Sequence, residues 1–282
     1  MKIKGSTNIV GLIGHPVEHS FSPPMHNSAF AKLGLDYAYV AFDVNPSDLK
    51  SAIDGAKALN IKGFNVTIPH KIEVMQYLNE LDEVAHLIGA VNTIDFKNLK
   101  GYNTDGIGAV RAIEEVTSIK DKNVVVSGAG GASRAISFYL AKFGADSITI
   151  LNRNVNKAQK LANDVLKSDL ISDVGTDSIS RIENYLKDAD ILVDTTPLGM
   201  DPHIDDEPIA RADAMHEDLV VFDAVYNPNE TVLLKEAIKA GAKPVYGIKM
   251  LLYQGAESFK IWTGRDAPID VMQKALNEYL GR

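Results

Sequence analysis

The chain has 282 residues, of which 45% are hydrophobic and 23% are charged. This composition is typical of a globular protein and excludes a fibrous or disordered chain. The length favours two domains of ordinary size over one large core. The formal net charge of -8 repels phosphate backbones and anionic lipids, so we expect neither nucleic acid nor membrane partners.

The sequence contains no cysteine, which excludes disulfides, cysteine-ligated metals and a thiol nucleophile. The first apolar stretch, residues 9–13, is too short for a signal sequence or a membrane span. We therefore expect a cytoplasmic protein.

The first third of the chain alternates between strand-like and helix-like patterns. Strands are predicted at 9–13, 37–44, 63–68 and 90–96, and helices at 22–33, 46–59 and 70–87. Such alternation is typical of parallel βαβ units. The polar turn at 102–106 precedes another helix, and we place a domain boundary there.

The middle of the chain predicts a doubly wound sheet. Strand-like runs at 124–126 and 148–150 flank a glycine-rich loop and a helix, and further strands are expected at 191–193, 220–223 and 244–246. Residues 249–280 indicate two amphipathic helices that are too short for a domain of their own. Their aromatic residues Tyr253, Phe259 and Trp262 are expected to be core anchors.

The glycine-rich loop has the context of a dinucleotide site, because it follows a strand and opens a helix. It comprises Gly128, Ala129, Gly130, Gly131, Ala132 and Ser133, with Ser133 in place of the third glycine. Gly128 permits the tight turn, and Gly130 lets the backbone approach a pyrophosphate. The alternative is a tight strand-to-helix turn without a ligand.

The end of the next strand carries Asn152 and Arg153 where an NAD-binding protein would have a carboxylate. Arg153 can give a 2′-phosphate paired hydrogen bonds, and Lys157 adds a charge one turn later. The pattern favours NADP over NAD. The alternative is that both basic residues are simply solvated at a helix start.

Three histidines near the N-terminus raise the alternative of a metal site. His15 and His19 are close in sequence, with Glu18 beside the second and His26 further on. Pro16 interrupts a shared helical face, so we expect loop or cap histidines and no metal.

Several spaced motifs, taken together, resemble the shikimate dehydrogenase family. They are Ser20-Phe21-Ser22, Asn65-Val66-Thr67-Ile68-Pro69-His70-Lys71, Ala90-Val91-Asn92-Thr93 and Asn103-Thr104-Asp105-Gly106, followed by Tyr226, Gly247 and Gln254. The resemblance covers essentially the whole chain. It implies reversible NADPH-dependent reduction of 3-dehydroshikimate to shikimate, a step in aromatic amino acid (chorismate) biosynthesis.

The resemblance also implies roles for single residues. Ser20 and Ser22, with Tyr226, would hold the substrate carboxylate, and Thr67, Asn92 and Gln254 would contact the ring hydroxyls. Lys71 would be the general acid/base and Asp105 its partner, both touching the substrate. Cofactor contacts are implied for the glycine loop and for Asn152, Arg153, Asn154, Lys157, Thr196, Ala224 and Gly247.

Each of these residues has a plainer interpretation from the sequence alone. Ser22 and Asp105 could cap helices, and Lys71 could be a solvated lysine in the first turn of one. A first-turn lysine opposes the helix dipole, which favours another purpose for Lys71. Two positions also depart from the family pattern: Asp194 stands where Asn is commoner, and Asn154 where Thr is commoner.

The sequence therefore predicts an α/β protein with two domains. Residues 1–105 plus 248–282 would form the substrate-binding domain, with the C-terminal helices returning to it, and 106–247 a Rossmann-type NADP domain. The alternatives are a dual quinate/shikimate dehydrogenase and a non-catalytic ligand sensor on the same fold. A homodimer is a further hypothesis.

Overall fold

The structure is a computed structural model that describes residues 2–280. The chain separates into two compact units, one formed by residues 2–104 with 254–280 and the other by Asp105–Tyr253. The sequence prediction placed the two boundaries at 105/106 and 247/248. Each unit contains one six-stranded sheet.

The first unit is built on a mixed sheet with the strand order β2-β1-β3-β5-β6-β4. Its elements are β1 (Asn8–Gly14), α1 (Ser22–Lys32), β2 (Tyr37–Asp43), α2 (Leu49–Ala58), β3 (Gly63–Val66), β4 (Glu80–Leu81), α3 (Glu83–Ile88), β5 (Thr93–Asp95), β6 (Lys100–Tyr102) and α10 (Ile269–Tyr279). Strand β1 pairs in parallel with β2 and β3, whereas β5 runs antiparallel to β3 and β6.

One face of this sheet carries an apolar core that includes Ile13, Ile53, Phe64 and Ile94. The C-terminal chain also packs on this unit, as the sequence predicted, and it does so through aromatic rings. Phe259 stacks on Phe30 with ring centroids 5.0 Å apart, and the Trp262 indole donates to the Ile94 carbonyl oxygen at 3.0 Å.

The second unit has the strand order β12-β11-β10-β7-β8-β9, and all pairs are parallel. Its elements are α4 (Asp105–Glu114), β7 (Asn123–Ser127), α5 (Gly131–Lys142), β8 (Ser147–Asn152), α6 (Val155–Leu166), β9 (Val174–Ser178), α7 (Ile182–Leu186), β10 (Ile191–Asp194), β11 (Val220–Asp223), α8 (Val232–Lys239) and β12 (Lys243–Tyr246). Numbered from the first strand, this is the 3-2-1-4-5-6 order of the dinucleotide-binding fold. Helix α9 (Gly247–Thr263) begins in this unit and ends in the first.

Several predicted elements were wrong in the first unit. The helix expected at 70–87 is a turn, a 3₁₀ segment at Glu73–Tyr77, strand β4 and the short helix α3. The Asn79 amide donates to the Leu99 carbonyl and the Asp82 amide to the Gly101 carbonyl, so the sheet takes the hydrogen bonds that a helix would use. Strand β5 is shorter than the predicted strand at 90–96.

The parallel arrangement expected for the first unit is wrong for β5 and β6. Strand β6 was not predicted; it returns after a tight turn in which Leu99 has φ 50°. Strand β9 in the second unit was also missed. Tyr253 is not a core anchor, because it is partly exposed and its hydroxyl contacts the Glu115 carboxylate.

None of the helices within residues 2–280 is long and apolar enough to cross a bilayer.

Candidate active site

The predicted substrate residues of the first unit follow strands that end at the same edge of its sheet. Strands β1 and β3 are parallel, so Ser20 and Ser22 after β1 and Thr67 and Lys71 after β3 leave the same edge. Asn92 reaches this edge because it precedes β5, which runs in the opposite direction. The topology therefore gathers residues that lie far apart in sequence.

Backbone hydrogen bonds fix the segments that carry these side chains. The Thr67 amide donates to the Ile13 carbonyl at 2.9 Å, and the Val91 amide donates to the Lys71 carbonyl at 2.8 Å. The Nε2 atom of the buried His70 ring lies 2.7 Å from the Val44 carbonyl oxygen. Lys71 thus stands on an anchored turn before the 3₁₀ segment, with its side chain half-buried, and not in a helix first turn.

Ser22 is the first residue of α1, and no side chain caps this helix. Ser22 is therefore not the N-cap considered in the sequence analysis. The Ser22 amide donates to the Ser20 hydroxyl oxygen at 3.2 Å, so the two serines are held together. Because the Ser20 oxygen accepts this bond, its hydroxyl proton is directed elsewhere.

A buried network of uncharged side chains underlies this edge, and the sequence analysis did not find it. Asn65 accepts from the Tyr39 hydroxyl at 2.8 Å and donates to Thr93 and Ser258 at 3.0 and 2.9 Å. Asn92 accepts from the Thr104 amide at 2.7 Å. A polar residue in a strand would have been the only signal, since sequence alone cannot show that these partners meet.

Gln254 is buried in α9, and its backbone carbonyl accepts a hydrogen bond from the Ser258 hydroxyl at 3.0 Å. Asp105 directly follows Thr104 and is the first residue of α4, so it lies inside the helix and not one position before it. Tyr226 follows β11 in the second unit; it is 38% exposed, and burial of the remainder raises the pKa of its phenol.

The dinucleotide loop has the geometry that the sequence predicted. Gly128 has φ 103°, where a side chain would be strained, and a Cβ there would lie 2.4 Å from the Thr195 hydroxyl. A Cβ on Gly130 would meet nothing within 4 Å, so this backbone faces open space. Ser133 is fully buried and donates to the Gly128 carbonyl at 2.8 Å, which closes the turn.

Helix α5 begins at Gly131 in this loop, next to Ala132, and no side chain caps its N-terminus. Its first N–H groups have no partner within the helix, which makes such an end suitable for a phosphate. At the end of β8, Arg153 and Lys157 are exposed and Asn154 caps α6 by accepting from the Lys157 amide at 3.3 Å. Asn and Thr both serve as N-caps, so this departure from the family pattern keeps the local structure.

The remaining positions predicted to contact the cofactor lie at the ends of β8, β10, β11 and β12. The Thr196 hydroxyl donates to Asp194 at 3.1 Å, and the Ala224 amide donates to the Asp194 carbonyl at 2.9 Å. A Cβ on Gly247 would lie 2.5 Å from the Val225 carbonyl oxygen, so the start of α9 approaches this segment closely. Asn152 donates to the Asn154 carbonyl at 3.0 Å.

Two buried carboxylic acids, Asp194 and Asp223, were not predicted as site residues. They end the neighbouring strands β10 and β11 and are paired in register. Burial, opposed by hydrogen bonds, raises the pKa of Asp194 to about 6. Burial and the neighbouring Asp194 raise the pKa of Asp223 to about 7.

The three N-terminal histidines do not converge on a metal. His15 pairs with Asp43 at 2.6 Å, whereas His26 is fully buried between aromatic rings, 4.5 Å from the Tyr39 ring centroid. Burial lowers the pKa of His26 to about 3. Within residues 2–280, no group of three or more His, Asp or Glu is placed to hold a metal ion.

A parallel sheet in the strand order of the second unit, with a glycine loop at its carboxyl edge, is typical of dinucleotide-binding α/β proteins. Family models match three parts of the chain: a shikimate dehydrogenase substrate binding domain at residues 12–94, a shikimate/quinate 5-dehydrogenase model at 111–231 and a shikimate 5'-dehydrogenase C-terminal domain at 247–276. The chain belongs to the shikimate dehydrogenase family, as the resemblance predicted.

Similar proteins match over nearly the full length. An NADP(+) shikimate dehydrogenase of Methanobrevibacter smithii is 72% identical over 278 residues, covering 99% of each chain. A crystal structure of a shikimate dehydrogenase in complex with NADP+ is 52% identical with a TM-score of 0.92, covering 100% of this chain and 98% of the other. A shikimate 5-dehydrogenase from Listeria monocytogenes, in complex with shikimate and NAD, is 36% identical with a TM-score of 0.93 and 98% coverage of both.

Proposed function

We propose that the chain catalyses the reversible NADPH-dependent reduction of 3-dehydroshikimate to shikimate, with Lys71 as general acid/base and Asp105 as its partner. The observation that carries this proposal is the match, over 99% of the chain, to a relative named for this activity and cofactor. Residues 1–105 plus 248–282 bind the substrate and 106–247 bind NADP. The substrate and cofactor are small molecules, and the reaction is an oxidoreduction at a CH–OH group.

The glycine loop and the residues after β8 suit NADP. The open backbone at Gly130 and the uncapped start of α5 accept a pyrophosphate. The exposed Arg153, just before α6, and Lys157, in its first turn, bind the 2′-phosphate. When bound, the nicotinamide supplies or accepts the hydride.

The substrate residues act as hydrogen-bond partners. Ser20 and Ser22, with Tyr226, hold the carboxylate through their hydroxyl groups. Hydroxyls donate to an anion and are more selective than a positively charged side chain would be. Thr67, Asn92 and Gln254 pair with the ring hydroxyls; an analogue without these hydroxyls would leave buried polar groups unsatisfied and is therefore rejected.

Lys71 delivers a proton to the ketone oxygen during reduction and takes it back from the hydroxyl in the reverse direction. Its ammonium also stabilises negative charge that develops on this oxygen. Asp105 orients the ammonium and hydrogen-bonds a neighbouring hydroxyl of the substrate. The anchored backbone of Lys71 supports this role, because it fixes where the side chain starts.

Four mixtures test the function: shikimate or quinate, each with NADP or NAD, followed by the absorbance of reduced nicotinamide. We expect turnover with shikimate and NADP, and a loss of about 10²–10⁴-fold in kcat in Lys71→Ala, the usual contribution of general acid–base catalysis. The control Lys97→Ala removes an exposed lysine of the same unit and should keep full activity.

The outcomes separate the alternatives. Comparable turnover of quinate or NAD would identify a dual quinate/shikimate enzyme, and no turnover in any mixture would identify a ligand sensor. Activity retained in Lys71→Ala would remove Lys71 from the mechanism without changing the assigned reaction.

The cofactor preference is tested separately with Arg153→Ala. Loss of a charged hydrogen bond costs about 1.5–3 kcal/mol, so the Kd for NADP should rise about 10–100-fold while that for NAD stays unchanged. Lys160→Ala removes one positive charge from the exposed face of the same helix and is the matched control. Equal weakening of NADP and NAD would contradict a contact between Arg153 and the 2′-phosphate.

We also expect a homodimer and a cytoplasmic location. Light scattering coupled to size-exclusion chromatography measures the first, and a monomer would contradict it.

A further inference from the structure

Asp194 and Asp223 place two carboxyl groups side by side inside the second unit. The two residues are 1% and 0% exposed and are directly paired between β10 and β11. Paired residues of neighbouring strands lie about 5 Å apart and project from the same face of the sheet. Two ionised carboxylates in this position would repel each other without water to screen them.

Asp194 connects two segments of the cofactor site. Its carboxylate accepts from the Ser127 hydroxyl at 2.6 Å and from the Thr196 amide at 2.9 Å. Ser127 directly precedes Gly128, and the Thr195 amide donates to the Ser127 carbonyl at 3.0 Å. The glycine loop and the segment after β10 are therefore both attached to Asp194.

Asp223 holds the third segment. It accepts from the Val225 amide at 2.9 Å and from the Thr231 hydroxyl at 2.5 Å, and Thr231 in turn caps α8. Ala224 directly follows Asp223, and its amide donates to the Asp194 carbonyl, so it joins the ends of the two strands. The segments that carry Gly128, Thr196 and Ala224 thus depend on two adjacent carboxyl groups.

In the described part of the chain, the hydrogen-bond partners of the two carboxyl groups are uncharged. Among residues 2–280, no Lys, Arg or His side chain hydrogen-bonds either carboxyl. The groups that face the two acids from the neighbouring elements are the hydroxyls of Ser127, Thr196 and Thr231. On the next strand, β12, Tyr246 is paired with Asp223. Burial raises the pKa of Tyr246, so it is neutral near pH 7. The raised pKa values of both acids agree with this environment.

We propose that Asp194 and Asp223 are positioning residues that hold one proton between them, and that this proton keeps the three cofactor segments in the arrangement that binds NADP. The proposal rests on the proposed function, in which Gly128, Thr196 and Ala224 contact NADP. Loss of the proton places two negative charges under these segments. NADP binding therefore weakens as the pH rises.

The test measures the Kd of NADP from pH 6 to pH 9 for the full chain and for Asp194→Asn. An asparagine oxygen still accepts from Ser127 and Thr196, while its NH₂ group can donate to Asp223 without a titrating proton. Above the pKa of the pair, the Kd of the wild type should rise by up to about tenfold per pH unit, the limit for one linked proton. In Asp194→Asn this rise should be absent.

Asp190→Asn is the matched control, because Asp190 precedes the same strand at its other end and pairs with Lys122 at the surface. It should keep the wild-type pH profile. Calorimetry at pH 8 in two buffers of different ionisation enthalpy gives a second measurement: the wild type should take up a proton on binding NADP, and Asp194→Asn should not. If Asp194→Asn does not fold, the proton uptake of the wild type on binding NADP tests the proposal by itself.

Parallel pH profiles for the wild type and Asp194→Asn, or no proton uptake by the wild type, would overturn the proposal. Shikimate turnover by the wild type at pH 7 tests the proposed function independently. An enzyme that turns over shikimate with a pH-independent Kd for NADP would refute the proton-sharing pair alone.

Discussion

Both units place polar residues at the ends of neighbouring strands, but the two units hold these residues with different chemical groups. In the first unit, Asn65 and Asn92 form hydrogen bonds with neighbouring amide and hydroxyl groups. None of these groups titrates. In the second unit, Asp194 and Asp223 hold the glycine loop and the segments after β10 and β11 through carboxyl groups, which can titrate.

This difference makes the two networks respond differently to pH. A neutral network loses stability when one partner is removed, and the loss is the same at every pH. Burial and the neighbouring charge raise the pKa values of the acid pair, so its contribution to stability depends on pH. Three predictions test this contrast.

The largest expected effect comes from Asn65→Ala. Removal of this amide breaks three buried hydrogen bonds, those with Tyr39, Thr93 and Ser258, which costs about 3 kcal/mol of unfolding free energy. We expect this loss to be equal at pH 6 and pH 8 in denaturant titrations. Asn79→Ala, at an exposed position of the same unit, should change stability by less than about 0.5 kcal/mol. A pH-dependent loss in Asn65→Ala would contradict a neutral network.

A second prediction compares two glycines of the dinucleotide loop. Gly128→Ala forces a side chain onto a residue with positive φ and against the Thr195 hydroxyl, so it should lower stability by about 1–3 kcal/mol and weaken NADP binding. Gly130→Ala adds a methyl group in open space, so stability should stay within about 0.5 kcal/mol while the Kd for NADP rises. Thermal unfolding and fluorescence titration measure both. An unchanged Kd in Gly130→Ala would mean that the cofactor does not approach this backbone.

A third prediction concerns the dependence of stability on pH. The folded-state pKa values of Asp194 and Asp223, about 6 and about 7, lie above the value of about 3.9 for an unfolded aspartic acid. The folded state therefore binds more protons, and stability contributed by the protonated pair is lost as the pH rises from about 4 to about 7.

Asp194→Asn should remove much of this loss, so its unfolding free energy relative to the wild type should increase between pH 5 and pH 8, on the order of 2 kcal/mol. Denaturant unfolding at both pH values measures the change. An equal difference in unfolding free energy between variant and wild type at pH 5 and pH 8 would show that the pair does not titrate in this range. Asp190→Asn serves as the control for a general effect of charge removal.

The sequence predicted the second unit better than the first because its pattern is regular. Apolar runs such as that of β7 are long enough to read as buried strands, and the glycine loop marks the strand-to-helix turn. In the first unit, β4 and β6 have two and three residues, which is too short to show a period. Residues 70–87 carry a helical pattern, yet hydrogen bonds to β6 override it.

The identity of the site residues shows the same division. Lys71, Asp105 and the glycine loop were found because they belong to motifs contiguous in sequence, and their roles remain proposals that activity measurements must test. Asp194 was noticed as a departure from the family pattern, but its neighbour Asp223 was not. Their pairing required the register of β10 and β11.

By itself, the sequence determined the α/β class, the dinucleotide fingerprint, the family and the return of the C-terminal helices, because short-range patterns carry this information. Tertiary structure alone decided the mixed order of the first sheet, the network around Asn65 and the pairing of Asp194 with Asp223 between neighbouring strands. The physical reason is that burial and charge interaction depend on which strands become neighbours, and pairing between strands distant in sequence leaves no local period.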